Sequence, residues 1–123
     1  MTITALRALT AYKALAGVGV WLAPGTTSRI FGFEHERERN FLMRLSGARE
    51  AALAAGAHAA RGEARRLWLR LSLACDVLDV VAGAAAVRGA YFTRSQAAGL
   101  ELFSGLSALL TVLALAERRQ ARA

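Results

Sequence analysis

Two aspartates, Asp76 and Asp79, lie in the middle of an apolar stretch of the sequence, where a charged side chain is costly. Their spacing of three residues places both carboxylates on one face of a helix. Other charged residues occur at comparable depth in the neighbouring apolar stretches: Arg44, Arg49 and Glu50 in one, Glu101 in a second and Lys13 in a third. An unpaired ion in hydrocarbon costs at least about 2.5–3.5 kcal/mol. We therefore expect these groups to pair in a buried network.

A network of this composition can carry acid/base chemistry. Two carboxylates that share one arginine differ in their affinity for a proton, so that one can activate water or a hydroxyl while the other donates a proton. Such a grouping suits the opening of an epoxide in a lipophilic molecule, by water or by an internal hydroxyl that closes a ring. The candidate catalytic residues are Asp76, Asp79, Arg49, Glu50, Arg44 and Glu101. The alternative is that the pairs only fix helix register, in a non-catalytic membrane accessory or partner-binding subunit.

Other kinds of site find little support in the sequence. His35 and His58 lack further ligands at suitable spacing, so we predict neither a metal site nor haem. Cys75 is the only cysteine, which excludes an intramolecular disulfide. The glycines at 17 and 19 lie inside an apolar segment with no strand before them, so they do not form a nucleotide-binding loop. We therefore predict no cofactor.

Four apolar segments must position the charged residues, and we predict helices over 3–23, 40–60, 67–87 and 95–116. Each holds about 20 residues, enough to cross a bilayer core of roughly 30 Å. Pro24 and Gly25 end the first segment, residues 26–39 read as a loop, and residues 61–66 as a basic linker. Ser95 can cap the last helix. The fold predicted for residues 1–123 is a single all-α domain, a four-helix up-down transmembrane bundle.

The composition supports a membrane location. Hydrophobic residues make up 55% of the chain, above the roughly 45–50% typical of soluble domains. The net charge is +7, and Lys13 is the only lysine. Most arginines flank the apolar segments, a pattern that favours anionic headgroups over nucleic acid. The predicted partners are the lipid bilayer and a lipophilic small molecule. The sequence is also compatible with a homo-oligomer. Because every segment contains a charge, a soluble helical dimer is a third interpretation.

The arginines also predict an orientation in the membrane. With the N-terminus inside, one side holds Arg7, Arg61, Arg65, Arg66, Arg118, Arg119 and Arg122, and the other holds Arg29, Arg37, Arg39, Arg88 and Arg94. Cytoplasmic loops carry an excess of arginine and lysine. The sequence therefore predicts a cytoplasmic-membrane protein with both termini inside.

Four short stretches resemble a known group of proteins. They are residues 21–25 (WLAPG), 44–50 (RLSGARE), 68–70 (WLR) and 76–79 (DVLD). In this order they are similar to small four-span membrane proteins of largely unknown function related to the DoxX-like group. The resemblance implies a four-helix fold in the membrane and a pair of aspartates in the third helix. It implies no particular activity.

Overall fold

The computed structural model describes residues 4–33 and 37–120. They form five helices: α1 (Ala5–Leu22), α2 (Pro24–Ile30), α3 (Arg37–Ala59), α4 (Gly62–Arg88) and α5 (Arg94–Gln120). No strand occurs among these residues, which confirms the all-α class. The four long helices correspond to the four predicted segments. The predicted first residue of the first helix, Ile3, lies outside the described part of the chain, as do the loop charges at 34–36 and the tail at 121–123.

The four long helices pack in the order of the chain around a square. Helix α1 contacts α3 and α5, and α4 contacts α3 and α5, so α1 and α4 lie at opposite corners. Neighbouring helices are antiparallel, since Lys13 meets Glu50 near the middle of α1 and α3 while Trp21 meets Arg44 near the end of α1. The bundle therefore has an N-terminal end, with the start of α1 and the α3–α4 turn, and an α2 end, with α2 and the α4–α5 turn.

A short helix occupies part of the region predicted as a loop. Pro24 does stop α1, because Ala23 leaves the helical conformation at φ −128° and ψ 60°. The same proline is then the first residue of α2, a position that needs no backbone N–H and suits its fixed φ. The prediction of a loop over residues 26–39 was therefore wrong for the residues of α2 and for the start of α3.

The predicted linker at residues 61–66 is also mostly helical, since α4 begins at Gly62. The turn between α3 and α4 is short because Gly62 adopts φ +57°, which glycine tolerates. Arg65 then reaches back and donates to the backbone carbonyls of Ala60 and His58. A cation at a helix C-terminus satisfies carbonyls that have no partner within the helix.

Helix α5 begins one residue earlier than predicted and has a different cap. Thr93 Oγ1 accepts from the backbone N–H of Gln96 at 3.3 Å, and Gln96 Oε1 accepts from the backbone N–H of Thr93 at 3.0 Å. This reciprocal pair is a capping box. Thr93, rather than Ser95, therefore sets the start of the helix. Gln96 also donates to the Gly32 carbonyl at 2.8 Å, which ties α5 to the end of α2.

Two glycines allow α1 and α3 to approach closely. A Cβ atom on Gly17 would lie 2.7 Å from the backbone nitrogen of Ala51, and one on Gly47 would lie 2.6 Å from the carbonyl oxygen of Gly17. Small residues at such a crossing are typical of helix pairs in membranes. This contact sets the distance from Lys13 on α1 to the carboxylate on α3.

The distribution of polar and apolar side chains is the reverse of that in a soluble bundle. Near the N-terminal end, Leu9, Ala57, Leu69 and Ala114 form a small apolar core. The middle of the bundle instead buries polar side chains: Thr10, Lys13, Glu50, Ser72, Asp76, Ser104, Ser107 and Thr111. Large apolar side chains cover the outside, among them Leu15, Val18, Leu42, Leu45, Val77, Leu78, Val81, Leu102, Leu106 and Leu109. Among the described helices, only α5, over its residues Arg94–Glu117, is long and apolar enough to cross a membrane.

Candidate functional site

Lys13 lies at the centre of the polar interior. Its Nζ lies 2.6 Å from Glu50 Oε2 on α3 and 3.0 Å from Asp76 Oδ1 on α4. The Lys13 and Asp76 side chains are each only 1% exposed. One ammonium therefore joins three helices, including the two at opposite corners. Removing it would leave two carboxylates buried without this cation, a costly state in low dielectric.

The fourth helix joins the network through a hydroxyl. Ser107 on α5 donates to Asp76 Oδ2 at 2.7 Å, so both oxygens of this carboxylate are bonded. Thr111, one turn further along α5, is also buried and donates to the backbone carbonyl of Ser107. Asp76 is thus held by two helices other than its own and has no free oxygen.

Arg49 connects the remaining carboxylates. Its two terminal nitrogens lie 3.1 and 2.5 Å from the two oxygens of Asp79, a bidentate geometry. One of these nitrogens also lies 3.3 Å from Glu50 Oε1. The predicted pairing of Arg49 with carboxylates is therefore confirmed. Unlike Lys13 and Asp76, this part is accessible: the Arg49 side chain is 39% exposed and that of Asp79 32%.

The network holds three carboxylates and two cations. Oxygens of Glu50, Asp76 and Asp79 lie within 4.8 Å of one another, a spacing that a metal ion could bridge. Lys13 and Arg49 already contact these oxygens, so the cluster supplies its own counter-ions. The cluster therefore holds one carboxylate more than it holds cations. Closely spaced carboxylates beside an arginine are an arrangement that suits acid/base chemistry.

A polar cavity of about 380 Å³ opens beside Arg49, towards the α2 end. Arg49, Glu50 and Asp79 line one wall, and Ser46 and Ser104 add hydroxyls. Its other walls are apolar and come from α4, the α4–α5 turn and α5. Asp76 is absent from these walls. The network therefore has a closed part around Lys13 and Asp76 and an open part around Arg49 and Asp79.

A second, mainly apolar cavity of about 290 Å³ adjoins the first. It lies among α1, α2, α3 and α5, and Ser46, Leu100 and Phe103 line both cavities. Phe103 is held in place by Tyr12, whose ring stacks on it at 5.0 Å and whose hydroxyl donates to its carbonyl at 3.1 Å. The polar cavity thus has an apolar neighbour on the side away from Asp79.

The chain matches no protein-family model, no curated protein and no solved structure. The function of the site therefore has to be argued from its geometry. The resemblance to the DoxX-like group stays a prediction based on the four sequence stretches.

The structure places two of the predicted site residues outside the network. Arg44 is exposed at the α2 end, where its Nε donates to the Trp21 carbonyl at 3.2 Å and its guanidinium lies over the Trp21 ring. Glu101 lies against Gly83 and lines an outer groove on α5. Neither side chain lines the polar cavity. Asp79, Arg49 and Glu50 do line it, and Asp76 lies behind them.

Sequence reasoning missed the contribution of α5. Ser104, Ser107 and Thr111 are all buried, and their spacing of three and four residues places them on one helix face. A polar stripe along an otherwise apolar helix was a signal that could have identified them. Lys13 was expected to pair with a carboxylate, but not to bridge α3 and α4.

Proposed function

We propose that this chain is a four-span integral membrane protein. The observation that carries the proposal is the reversed distribution of side chains, with ions and hydroxyls inside and leucines and valines outside. Soluble proteins seldom expose this many large apolar side chains on every long helix. In a bilayer the apolar surface contacts lipid hydrocarbon, and polar side chains are least costly when they face the bundle interior.

Most exposed charges support this arrangement, because they lie near the two ends of the bundle. Glu101, in the outer groove of α5, lies about 10 Å along the helix from Arg94. On α4, exposed charges at Arg70 and Arg88 bracket a stretch that rises about 27 Å. On α5, Arg94 and Glu117 bracket about 34 Å. Both lengths match a hydrocarbon core of roughly 30 Å. The arginine excess at the N-terminal end favours a cytoplasmic location of both termini.

Helices α1, α3 and α4 do not meet the criterion for a membrane span that α5 meets, and each carries charged residues of the network. Lys13 on α1, Arg49 on α3 and Asp76 on α4 each find an opposite charge within the bundle. Paired ions facing a bundle interior are the arrangement in which membrane helices tolerate charge. The charges in α1, α3 and α4 therefore do not conflict with insertion.

Membrane residence is tested by extraction. Membranes from expressing cells are washed with alkaline carbonate and, separately, with high salt, both without detergent. We expect the protein to stay in the pellet and to dissolve only with detergent. Recovery as a monodisperse soluble species would favour the helical dimer that hides its apolar faces by association.

We further propose that the open part of the network is an acid/base site for a lipophilic epoxide. The supporting observation is that Arg49 lies between Asp79 and Glu50 at the wall of a cavity. Asp79 is the more exposed carboxylate, so we assign it the role of base towards water. Glu50 is more deeply buried, and we assign it the role of acid. A proton on its Oε1 would replace the longer of its two cation contacts, the one to Arg49 at 3.3 Å.

The proposed reaction balances with water as the only co-reactant. Asp79 accepts a proton from water as the water oxygen attacks one epoxide carbon. The bond from that carbon to the epoxide oxygen breaks, and Glu50 donates its proton to this oxygen. The product is a diol, and one proton returns from Asp79 to Glu50 through water in the cavity. If an internal hydroxyl attacks instead of water, the product is a cyclic ether.

Conversion of lipophilic epoxides and hydroxy-epoxides in liposomes tests this assignment. Oxygen-labelled water should appear in a diol, and a cyclic ether should carry no label. We expect Asp79→Asn and Glu50→Gln to lose turnover, since the amides keep the shape but cannot transfer a proton. Glu63→Gln, a change in an exposed carboxylate at the start of α4, is the matched control and should retain it. Full activity in both network variants would refute the assignment.

The second candidate function is that of a non-catalytic membrane subunit. The observation in its favour is the closed part of the network, where Lys13, Asp76 and Ser107 are buried and fully bonded to one another. Such a cluster can fix helix register without chemistry. Failure of every offered epoxide to react, together with specific co-purification of a second membrane protein, would favour it.

A further inference from the structure

We propose that the two adjoining cavities form one binding site for an uncharged amphiphile with a single hydrocarbon chain. Its oxygen-bearing end occupies the polar cavity beside Arg49 and Asp79, and its chain passes Ser46 and Phe103 into the apolar cavity. This inference rests on the proposed acid/base site and names the class of molecule that it takes.

The dimensions of the cavities support a shared ligand. Volumes of about 380 and 290 Å³ are each near the lower limit of the roughly 300–1,000 Å³ found for small-molecule sites. Together they reach the middle of that range. Ser46, Leu100 and Phe103 belong to both walls, so these three side chains form the boundary that a ligand occupying both cavities would cross.

The charges of the polar cavity select an uncharged end group. Three carboxylates and two cations lie in this network, and the Arg49 nitrogens that face Asp79 are already bonded. An added carboxylate or phosphate would find both terminal nitrogens of Arg49 occupied and its one unpartnered nitrogen, Nε, buried, and it would face like charges. Hydroxyl and epoxide oxygens can instead bond to Ser46, Ser104 or a carboxyl group. Fatty acids and phospholipids are therefore poor ligands.

The apolar cavity opens towards the lipid. Leu15, one of its lining residues, is 77% exposed on the outer surface of α1. Gly19 also lines the cavity and is exposed, and a Cβ atom there would meet nothing within 4 Å. A chain dissolved in the bilayer could therefore enter beside Gly19. The same glycine offers a place to block the cavity without disturbing a packed contact.

A photoreactive probe tests the placement independently of turnover. The probe is a long-chain 1,2-diol with a diazirine near the far end of its chain, and it is added to the protein in liposomes. A diol is already the product of epoxide opening, so no reaction is needed for it to bind. After irradiation, the labelled residues are mapped by mass spectrometry, with and without an excess of unlabelled diol.

We expect competable labelling on residues that line the apolar cavity, such as Val20, Phe31 and Met43. Gly19→Leu should lower the competable labelling about tenfold, because the larger side chain overfills the cavity. Gly105→Leu adds the same bulk at an equally open position on α5 and should leave it unchanged. A carboxylic acid with the same chain and diazirine should label weakly.

Labelling that is not competed by excess diol, or that is confined to outward residues of α5, would overturn the inference. So would equal labelling in the two leucine variants. If epoxides are nevertheless opened, the acid/base site stands and takes a compact substrate. If the labelling is as expected and no epoxide reacts, the binding site stands and the proposed chemistry falls.

Discussion

The Lys13 ammonium on α1 lies 3.0 Å from the Asp76 carboxylate on α4, although these helices occupy opposite corners of the bundle. The long lysine side chain crosses the interior, which an arrangement of leucines would otherwise fill. Glu50 on α3 and Ser107 on α5 complete the contacts of this pair. All four long helices therefore depend on one buried cluster for their relative positions.

Lys13→Met should destabilise the bundle severely. Methionine fills similar space but leaves Glu50 and Asp76 facing each other without the ammonium, and loss of one partner of a buried pair costs about 3–5 kcal/mol. The free energy of unfolding in mixed micelles measures the effect. Arg7→Met, an exposed position on the same helix, is the control. Equal stability of the two variants would show that the cluster does not hold the bundle together.

The two arginines of α3 should behave differently. Arg49→Gln removes a bidentate contact to Asp79 that is partly exposed, so we expect a loss of about 1–3 kcal/mol. Arg44→Gln removes an exposed contact over Trp21 and should cost no more than about 1 kcal/mol. The same unfolding measurement compares them. A larger loss in the Arg44 variant would contradict the placement of these side chains.

These contrasts show what the sequence could and could not predict. Hydrophobic segments separated by Pro24 and by a basic turn were enough for four helices and an all-α fold. The cost of isolated ions was enough to expect that Arg44, Arg49 or both pair with a carboxylate, and Arg49 does. Periodicity assigns a residue to a face of its own helix, but the side on which neighbouring helices pack depends on contacts such as Gly17 against Gly47. Arg44 and Glu101 therefore could not be excluded from the site in advance.

Some predicted helix boundaries were wrong for a related reason. The start of α4 depends on Arg65 bonding to carbonyls of α3, and that of α5 on the reciprocal bonds of Thr93 and Gln96. Both depend on side-chain geometry that composition does not reveal. Helix α2 is short and polar, and its sequence has no helical repeat of apolar residues. For this reason its residues resembled a loop.

Substitutions at glycine test the close approach of α1 and α3. Gly47→Ala would place a methyl group 2.6 Å from the Gly17 carbonyl oxygen, a backbone atom that cannot rotate away. We expect a loss of about 1–3 kcal/mol. Gly105→Ala has open space and should be neutral or stabilise by up to about 1 kcal/mol, the helix propensity of alanine over glycine. Similar effects at both positions would argue against the crossing.

Two buried serines offer a test of the link between α4 and α5. Ser107 donates to Asp76, whereas the Ser72 hydroxyl is buried and no described group bonds to it. Ser107→Ala should cost about 1.5–3 kcal/mol, as for a hydrogen bond to a charged group. Ser72→Ala removes no bond and should be neutral or stabilising. The free energies of unfolding of the two variants are compared. A larger loss in the Ser72 variant than in the Ser107 variant would contradict the bond between Ser107 and Asp76.

A membrane bundle requires that its apolar exterior faces lipid, and cysteine accessibility tests this directly. In a Cys75→Ser background, single cysteines replace Leu78 and Leu102 on the outer surface, which are 65% and 75% exposed, and Arg61 and Arg88 at the ends. A charged, water-soluble maleimide is applied to membrane fragments that expose both faces, because Arg61 and Arg88 lie at opposite ends of the bundle. We predict reaction at the two end positions and none at Leu78→Cys or Leu102→Cys until detergent denatures the protein. Reaction of these two at the rate of the end positions would place them in water and contradict the membrane bundle.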